Sequence, residues 1–314
     1  MYESFYGLKE KPFSLTPNPR YVFYSERYRA ALDHLLYGLE QKEGFLLLTG
    51  MVGTGKTTLC RELLDRLDRS RFRTALIFNP FLDAREMLQA LLTEFGVSYP
   101  PQATKKELLD RLYRYLIAQL VDGFTSVVIF DEAQHLSPEL LEQVRVLSNL
   151  ETEEEKLLQI VLVGQPELRE RIQQPSLAQL DQRVSLRCVL TDLDLEETKR
   201  YIYHRLNVAG AKGSITFTDR ALRRIYDESG GIPRLINLIC DRTLLAGFAA
   251  ETTKLTPAHV AQAIASLRGD ETGDRRIGVR SARRGRRVAA ILLTLLLLAG
   301  LAAGAYWYTG GSLP

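Results

Sequence analysis

Between residues 41 and 190, short apolar runs of β-forming residues alternate with longer stretches of helical period. The runs are Phe45–Thr49, Thr74–Phe78, Ser126–Phe130, Ile160–Val163 and Val184–Leu190; the helical stretches include Thr57–Leu67, Ala84–Phe95, Lys105–Val121 and Pro138–Leu150. This alternation predicts an α/β fold with a five-stranded parallel sheet covered on both faces. From 191 to 268 the pattern turns helical, with starts at Thr191-Asp192, Thr218-Asp219 and Thr256-Pro257, and predicts a small all-helical domain. Residues 269–287, rich in Gly, Arg, Ser and Asp, have no period and read as a linker. Val288 to Tyr308 is 21 residues without a charge. As a helix it would be about 31 Å long, close to the hydrocarbon thickness of a bilayer. It closes on Tyr306-Trp307-Tyr308, the aromatic type favoured at a membrane interface, and predicts one transmembrane helix before a short tail at 309–314.

Composition removes some alternatives. With 46% hydrophobic and 25% charged residues, the chain is neither disordered nor a disulfide scaffold. Its three cysteines, Cys60, Cys188 and Cys240, lack metal-ligand spacing and read as buried residues of a reducing compartment. The net charge of +3 is unevenly spread: residues 271–314 hold seven arginines against Glu271 and Asp274, which leaves −2 for the first 270. A globular part that is slightly acidic lacks the basic footprint of a nucleic-acid binder. Four arginines (Arg283, Arg284, Arg286, Arg287) sit just ahead of the apolar segment. The positive-inside rule then leaves the large N-terminal part in the cytoplasm and the tail in the periplasm.

The chemistry concentrates in two motifs. Gly50-Met51-Val52-Gly53-Thr54-Gly55-Lys56-Thr57 satisfies G-x-x-x-x-G-K-[ST] between a predicted strand and a predicted helix. Its backbone N–H groups form a nest for phosphate oxygens, continued by Thr58, and the following helix adds its positive end. Lys56 supplies a charge for the β- and γ-phosphates of ATP, and the Thr57 hydroxyl can ligate Mg²⁺. The second motif is the strand Ser126–Phe130 ending in Asp131-Glu132. Asp131 would hold Mg²⁺ through water, and Glu132 would polarise the attacking water. The letters DEAQ at 131–134 suggest a helicase, but that reading needs two tandem cores and about 150 core residues hold one.

With these motifs in hand, the chain resembles the AAA+ ATPases and, more narrowly, the general secretion pathway protein A (ExeA-like) family of bacterial envelope assembly. The narrow likeness rests on Phe13, Pro17, Pro19, Phe23-Tyr24-Ser25 and Gly44-Phe45, on Gly50–Thr58 and Asp131-Glu132-Ala133, and on Val163-Gly164-Gln165-Pro166-Glu167-Leu168 and Gly230–Asn237. It implies an N-terminal lead (1–40) packed on a P-loop core (41–190), a helical lid (191–268), the linker and the span. It also implies that the lead, with eight of the chain's 27 aromatic residues in its first 28 positions, lies beside the adenine. Gln165 falls where such proteins place a polar sensor, more often Asn, Ser or Thr. Arg183 falls where they place an arginine finger acting on a neighbouring subunit, with a surface ion pair as the alternative and Arg187 in reserve. Arg234, in Gly231-Ile232-Pro233-Arg234, corresponds to the lid's second sensor. Asn79 either switches Glu132 or makes a turn. The resemblance further implies a homo-oligomer at the bacterial inner membrane with an inner-membrane partner of a secretion, pilus or exopolysaccharide export system. A DNA-associated AAA+ ATPase of transposition or initiator type, and an ATP-switched scaffold that does not hydrolyse, stand as alternatives.

Overall fold

A computed structural model describes residues 1–79, 81–153 and 155–269. The predicted linker beyond residue 269 and the predicted span at 288–308 lie outside the described residues. Among those described, no helix is long and apolar enough to cross a membrane.

Two helices lead in, α1 (Glu3–Tyr6) and α2 (Glu26–Glu40). Strands and helices then alternate through β1 (Phe45–Gly50), α3 (Lys56–Arg66), β2 (Phe72–Ile77), α4 (Ala84–Glu94), α5 (Lys105–Val121) and β3 (Thr125–Phe130). They continue through α6 (Pro138–Leu147), β4 (Leu158–Gly164), α7 (Pro166–Ile172), α8 (Ala178–Asp181) and β5 (Leu186–Leu190). The sheet order is β2-β3-β4-β1-β5, and every pairing is parallel. The apolar runs are continuous because both faces are covered. Leu47, Val128, Ile160 and Leu162 face the α4–α6 side, whereas Leu46, Leu48, Val127, Ile129, Val161 and Val163 face α2 and α3. Capping boxes Asp83/Glu86 and Thr104/Glu107 start α4 and α5 at the predicted residues.

The remaining elements are α9 (Leu195–Val208), β6 (Thr216–Phe217), α10 (Asp219–Ser229), α11 (Pro233–Ala249), β7 (Lys254–Leu255) and α12 (Pro257–Leu267). This region is not all helical, since β6 and β7 pair in parallel. The start expected at Thr191-Asp192 falls later: Asp194 caps α9 in a box with Glu197. Ahead of that cap the Leu193 N–H donates to the Gly231 carbonyl, 3.0 Å away, which ties this segment to the turn before α11.

The lead corrects a second expectation. Only from Val22 onward does it join the sheet, through Tyr28, Leu32, Leu35 and Leu39. Tyr2, Tyr6, Leu8, Phe13 and Tyr21 instead share a core with α9–α12. The reason is polar as well as apolar. The Tyr6 hydroxyl donates to the Leu244 carbonyl at 2.9 Å, and the Tyr2 hydroxyl donates to Asp241, so both rings can bury without stranding an O–H.

Candidate nucleotide site

The sheet's strands all end at one edge, and the site lies outside it. There the chain leaves β1 through a loop in which Gly53 and Gly55 take φ of 85° and 105°, left-handed values that a Cβ disfavours. Gly55 precedes α3, whose first turn has no side-chain acceptor, so its N–H groups face the loop's interior free for an anion. Lys56 is buried at 6% exposure. Its Nζ donates to the Gly50 and Met51 carbonyls at 2.8 and 3.0 Å. Burial lowers its pKa, opposed first by the charge of Glu132 and then by that of Asp131. A buried cation held by neutral carbonyls is matched to an incoming polyanion.

From the end of β3, one strand beyond β4, Asp131 Oδ2 accepts the Thr57 hydroxyl at 2.7 Å. Asp131 Oδ1 accepts the Glu132 N–H at 2.9 Å, and the Asp131 N–H donates to the Ile77 carbonyl. Among the described residues no group of three or more His, Cys, Asp or Glu gathers as a metal cluster. One hydroxyl beside one carboxylate is the donor set that suits Mg²⁺ completed by phosphate oxygens and water. Glu132 follows with φ 54°, a left-handed conformation for a residue with a side chain.

These groups open onto a cavity of about 440 Å³. At one end it is lined by Val52, Gly53, Thr54, Gly55, Lys56, Thr57 and Thr58 with Glu132. The lead supplies another wall through Tyr21, Val22 and Phe23, and the C-terminal helices a third through Tyr201, Arg205, Arg234 and Asn237. Arg234 sits against the loop, its N–H donating to the Gly53 carbonyl at 3.3 Å. Gly50, Met51 and Asp131 are not part of this lining; they bond to it through the Lys56 and Thr57 side chains.

The other predicted residues are placed differently. Gln165 opens α7 with no side-chain cap, and its backbone N–H donates to Gln134 Oε1 at 3.1 Å. Arg183 is outside the cavity lining and donates to the Ser148 carbonyl and hydroxyl, each at 3.3 Å. Arg187 is ion-paired to Asp181 at 3.0 Å. Asn79 accepts the Phe81 N–H and so closes a turn.

Two residues escaped the motifs. Arg205 is 7% exposed and has no carboxylate partner among the described residues. It donates to the Pro12 and Ser14 carbonyls at 2.6 and 3.0 Å and to the Tyr201 hydroxyl at 2.9 Å, with the Tyr21 ring 4.8 Å away. Its signal was an arginine on the apolar stripe Tyr201, Ile202, Arg205, Leu206. Gln134, 9% exposed, donates to Glu132 Oε2 at 2.6 Å.

Sheet order, glycine-rich loop and adjoining carboxylates give a P-loop type of α/β fold, and residues 39–172 match the family model described as AAA domain. The fold is shared with the Aeropyrum pernix ORC2 protein in its ADPNP-ADP complexes, at TM-score 0.59 and 18% identity, over 82% of this chain and 71% of that one. The sequence is 49% identical over 269 residues to General secretion pathway protein A of Aeromonas hydrophila, covering 86% of this chain and 49% of that protein. It is 32% identical over 123 residues to Mu-like prophage FluMu DNA transposition protein B of Haemophilus influenzae, covering 39% of this chain and 38% of that protein. The chain thus spans half or less of each of these curated relatives. The chain carries an AAA domain at residues 39–172 and resembles general secretion pathway protein A.

Proposed function

We propose that this chain is a membrane-anchored, Mg²⁺-dependent ATPase that couples ATP binding and hydrolysis to the assembly or operation of a bacterial envelope machine for secretion, pilus formation or exopolysaccharide export. The observation that carries the envelope role is the 49% identity to general secretion pathway protein A over 86% of the chain. The ATPase reading rests on the loop, Lys56, Thr57, Asp131 and Glu132 converging on one cavity. In this reading residues 1–40 are a lead, 41–190 the ATPase core, 191–268 the lid, 269–287 a basic linker, 288–308 the inner-membrane helix and 309–314 a periplasmic tail. The working form is a homo-oligomer with an inner-membrane partner protein.

Mechanistically, the amides of Gly53–Thr58 and Lys56 hold the phosphates of ATP, and Thr57 and Asp131 hold Mg²⁺. When bound, that ion would supply charge neutralisation to the phosphates. Glu132 orients a water in line with the γ-phosphorus and accepts its proton as the bond to the β-bridging oxygen breaks. Arg234 lies within reach of the same nucleotide. Gln165, close to Glu132 through Gln134, senses the γ-phosphate end, and Arg183 reaches a neighbouring subunit's nucleotide to stabilise charge in the transition state.

The identity to a DNA transposition protein favours a second reading, DNA-stimulated turnover. The −2 charge of the first 270 residues opposes it. Turnover by the full chain in detergent, with and without duplex DNA, separates the two. The envelope reading expects Mg²⁺-dependent hydrolysis indifferent to DNA, and Glu132→Gln that binds ATP normally but hydrolyses it about 10²–10⁴-fold more slowly. Stimulation by DNA of tenfold or more would transfer the conclusion to the second reading.

A further inference from the structure

Glu132 stands in a left-handed backbone conformation that survives only where neighbours over-determine it. The neighbours here are identifiable. Gln134 Nε2 donates to Glu132 Oε2 at 2.6 Å, while Gln134 Oε1 accepts the Gln165 N–H at the end of β4. Behind them Arg171, on α7, donates to the Gln134 and Leu136 carbonyls, the latter at 2.8 Å. Space for this amide exists because β4 ends in Gly164, where a Cβ would lie 2.8 Å from Gln134 Oε1. Gln134 therefore spends both ends of its amide on fixed partners, one a carboxylate and one a backbone amide of the adjacent strand.

We infer that Gln134 is the positioning residue of Glu132: its amide fixes Oε2 and leaves Oε1 free to meet water over the P-loop. The inference rests on the ATPase reading above for its consequence, but on geometry for the contact itself. It gives Gln134 the link between carboxylate and sheet edge that the sequence offered to Asn79, whose own side chain is engaged by Phe81. A hydrogen bond to a charged group acts mainly by restricting the carboxylate to one orientation, and misorientation is felt in turnover rather than in affinity.

Gln134→Glu is the main variant. It preserves size and the acceptor for the Gln165 N–H, removes the donor, and sets a second carboxylate against Glu132. Gln134→Ala removes both bonds. In the full chain, each should lower kcat for ATP about 10- to 100-fold, with KM for ATP and affinity for a non-hydrolysable analogue within about threefold of the parent. The decisive readout is a double-mutant cycle. In a Glu132→Gln background, single-turnover rates with and without Gln134→Glu should agree within about twofold, because the group being positioned has already gone. Losses that multiply would reduce Gln134 to a structural role and overturn the inference, as would Gln134→Glu keeping kcat within threefold. Amide hydrogen exchange of residues 131–136 gives a reading independent of turnover. Gln134→Ala should speed it at least tenfold, whereas Asn79→Ala should leave it unchanged. Should the parent hydrolyse no ATP, the ATPase reading fails, while faster exchange still supports the contact and unchanged exchange overturns it.

Discussion

Replacing Lys56 tests the site at the group on which most depends. The side chain is buried, its Nζ bonds only to the two loop carbonyls, and burial holds its pKa down. A base with a lowered folded-state pKa binds its proton less tightly than in the unfolded chain. Its charged form is therefore a penalty on folding at neutral pH, one that fades as pH rises through the lowered value and is gone above the unfolded value near 10.4. Lys56→Met keeps the aliphatic stem and removes that penalty, so the apo protein should melt within about 2 °C of the parent or higher. The ligand response should move the other way. A nucleotide at 100 times its Kd stabilises the parent by about 2.7 kcal/mol, or about 5–10 °C for a domain of this size. Deleting the cation of a buried charge contact costs about 3–5 kcal/mol, a Kd higher by about 10²–10³-fold or more. At the same ligand concentration the variant should then gain less than about 1 °C. The assay is a thermal melt of the full chain with and without a non-hydrolysable ATP analogue and Mg²⁺. A ligand-induced shift in Lys56→Met within 2 °C of the parent's would refute the argument that this cation is matched to phosphate.

Two other perturbations probe the segment through which the chain enters the C-terminal helices. Gly231 has φ 79°, and a Cβ there would lie 1.9 Å from the Leu193 carbonyl oxygen, which is backbone and cannot swing away; Gly231→Ala should lower the melting temperature by about 5 °C or more, and an unchanged melt would show that this junction yields. Asp192 has an Oδ1 buried without a partner, and burial raises its pKa against the opposing pull of Arg27. A raised acid binds its proton more tightly when folded, so its penalty is absent below the unfolded pKa near 3.9 and complete above the raised one. Asp192→Asn should therefore stabilise the chain at pH 7 and not at pH 3.5, as chemical denaturation at the two pH values would register; equal effects would contradict that sign.

The sheet was legible because parallel strands buried on both faces must be apolar at every position, and β1 and β3 announce themselves as unbroken runs beside glycine- and carboxylate-bearing turns. Boundaries slipped where tertiary contacts outweighed local signals: Thr191-Asp192 looks like a helix start, yet Leu193 is drawn to Gly231. The two-residue pair β6–β7 is too short to leave any period. Within the site, the loop and carboxylates were legible since their spacing is dictated by phosphate geometry. Gln134 was not, because a glutamine two residues after Glu132 gains meaning only when β4 brings the Gln165 amide beside it. Arg205 was obscured for a similar reason, its partners being backbone carbonyls some 190 residues away in sequence.

That long-range contact bears on how the cavity is organised. The lead's first 21 residues are bound to the C-terminal helices by the Tyr6 and Arg205 bonds and a shared apolar core, whereas α2 is bound to the sheet. The wall made by Tyr21, Tyr201 and Arg205 thus belongs with the C-terminal helices, and the end lined by the glycine-rich loop belongs with the sheet. Polar links run between the two: Arg27 on α2 donates to the Thr191 hydroxyl at 3.1 Å and the Asp192 carbonyl at 2.9 Å, and the Arg234 N–H donates to the Gly53 carbonyl. A ligand spanning the cavity bridges two apolar cores that the chain itself joins by a handful of hydrogen bonds. The free energy of binding is then applied at the joint, where each bond is worth about 1 kcal/mol, and not inside either core, where displacement would expose packed leucines and isoleucines.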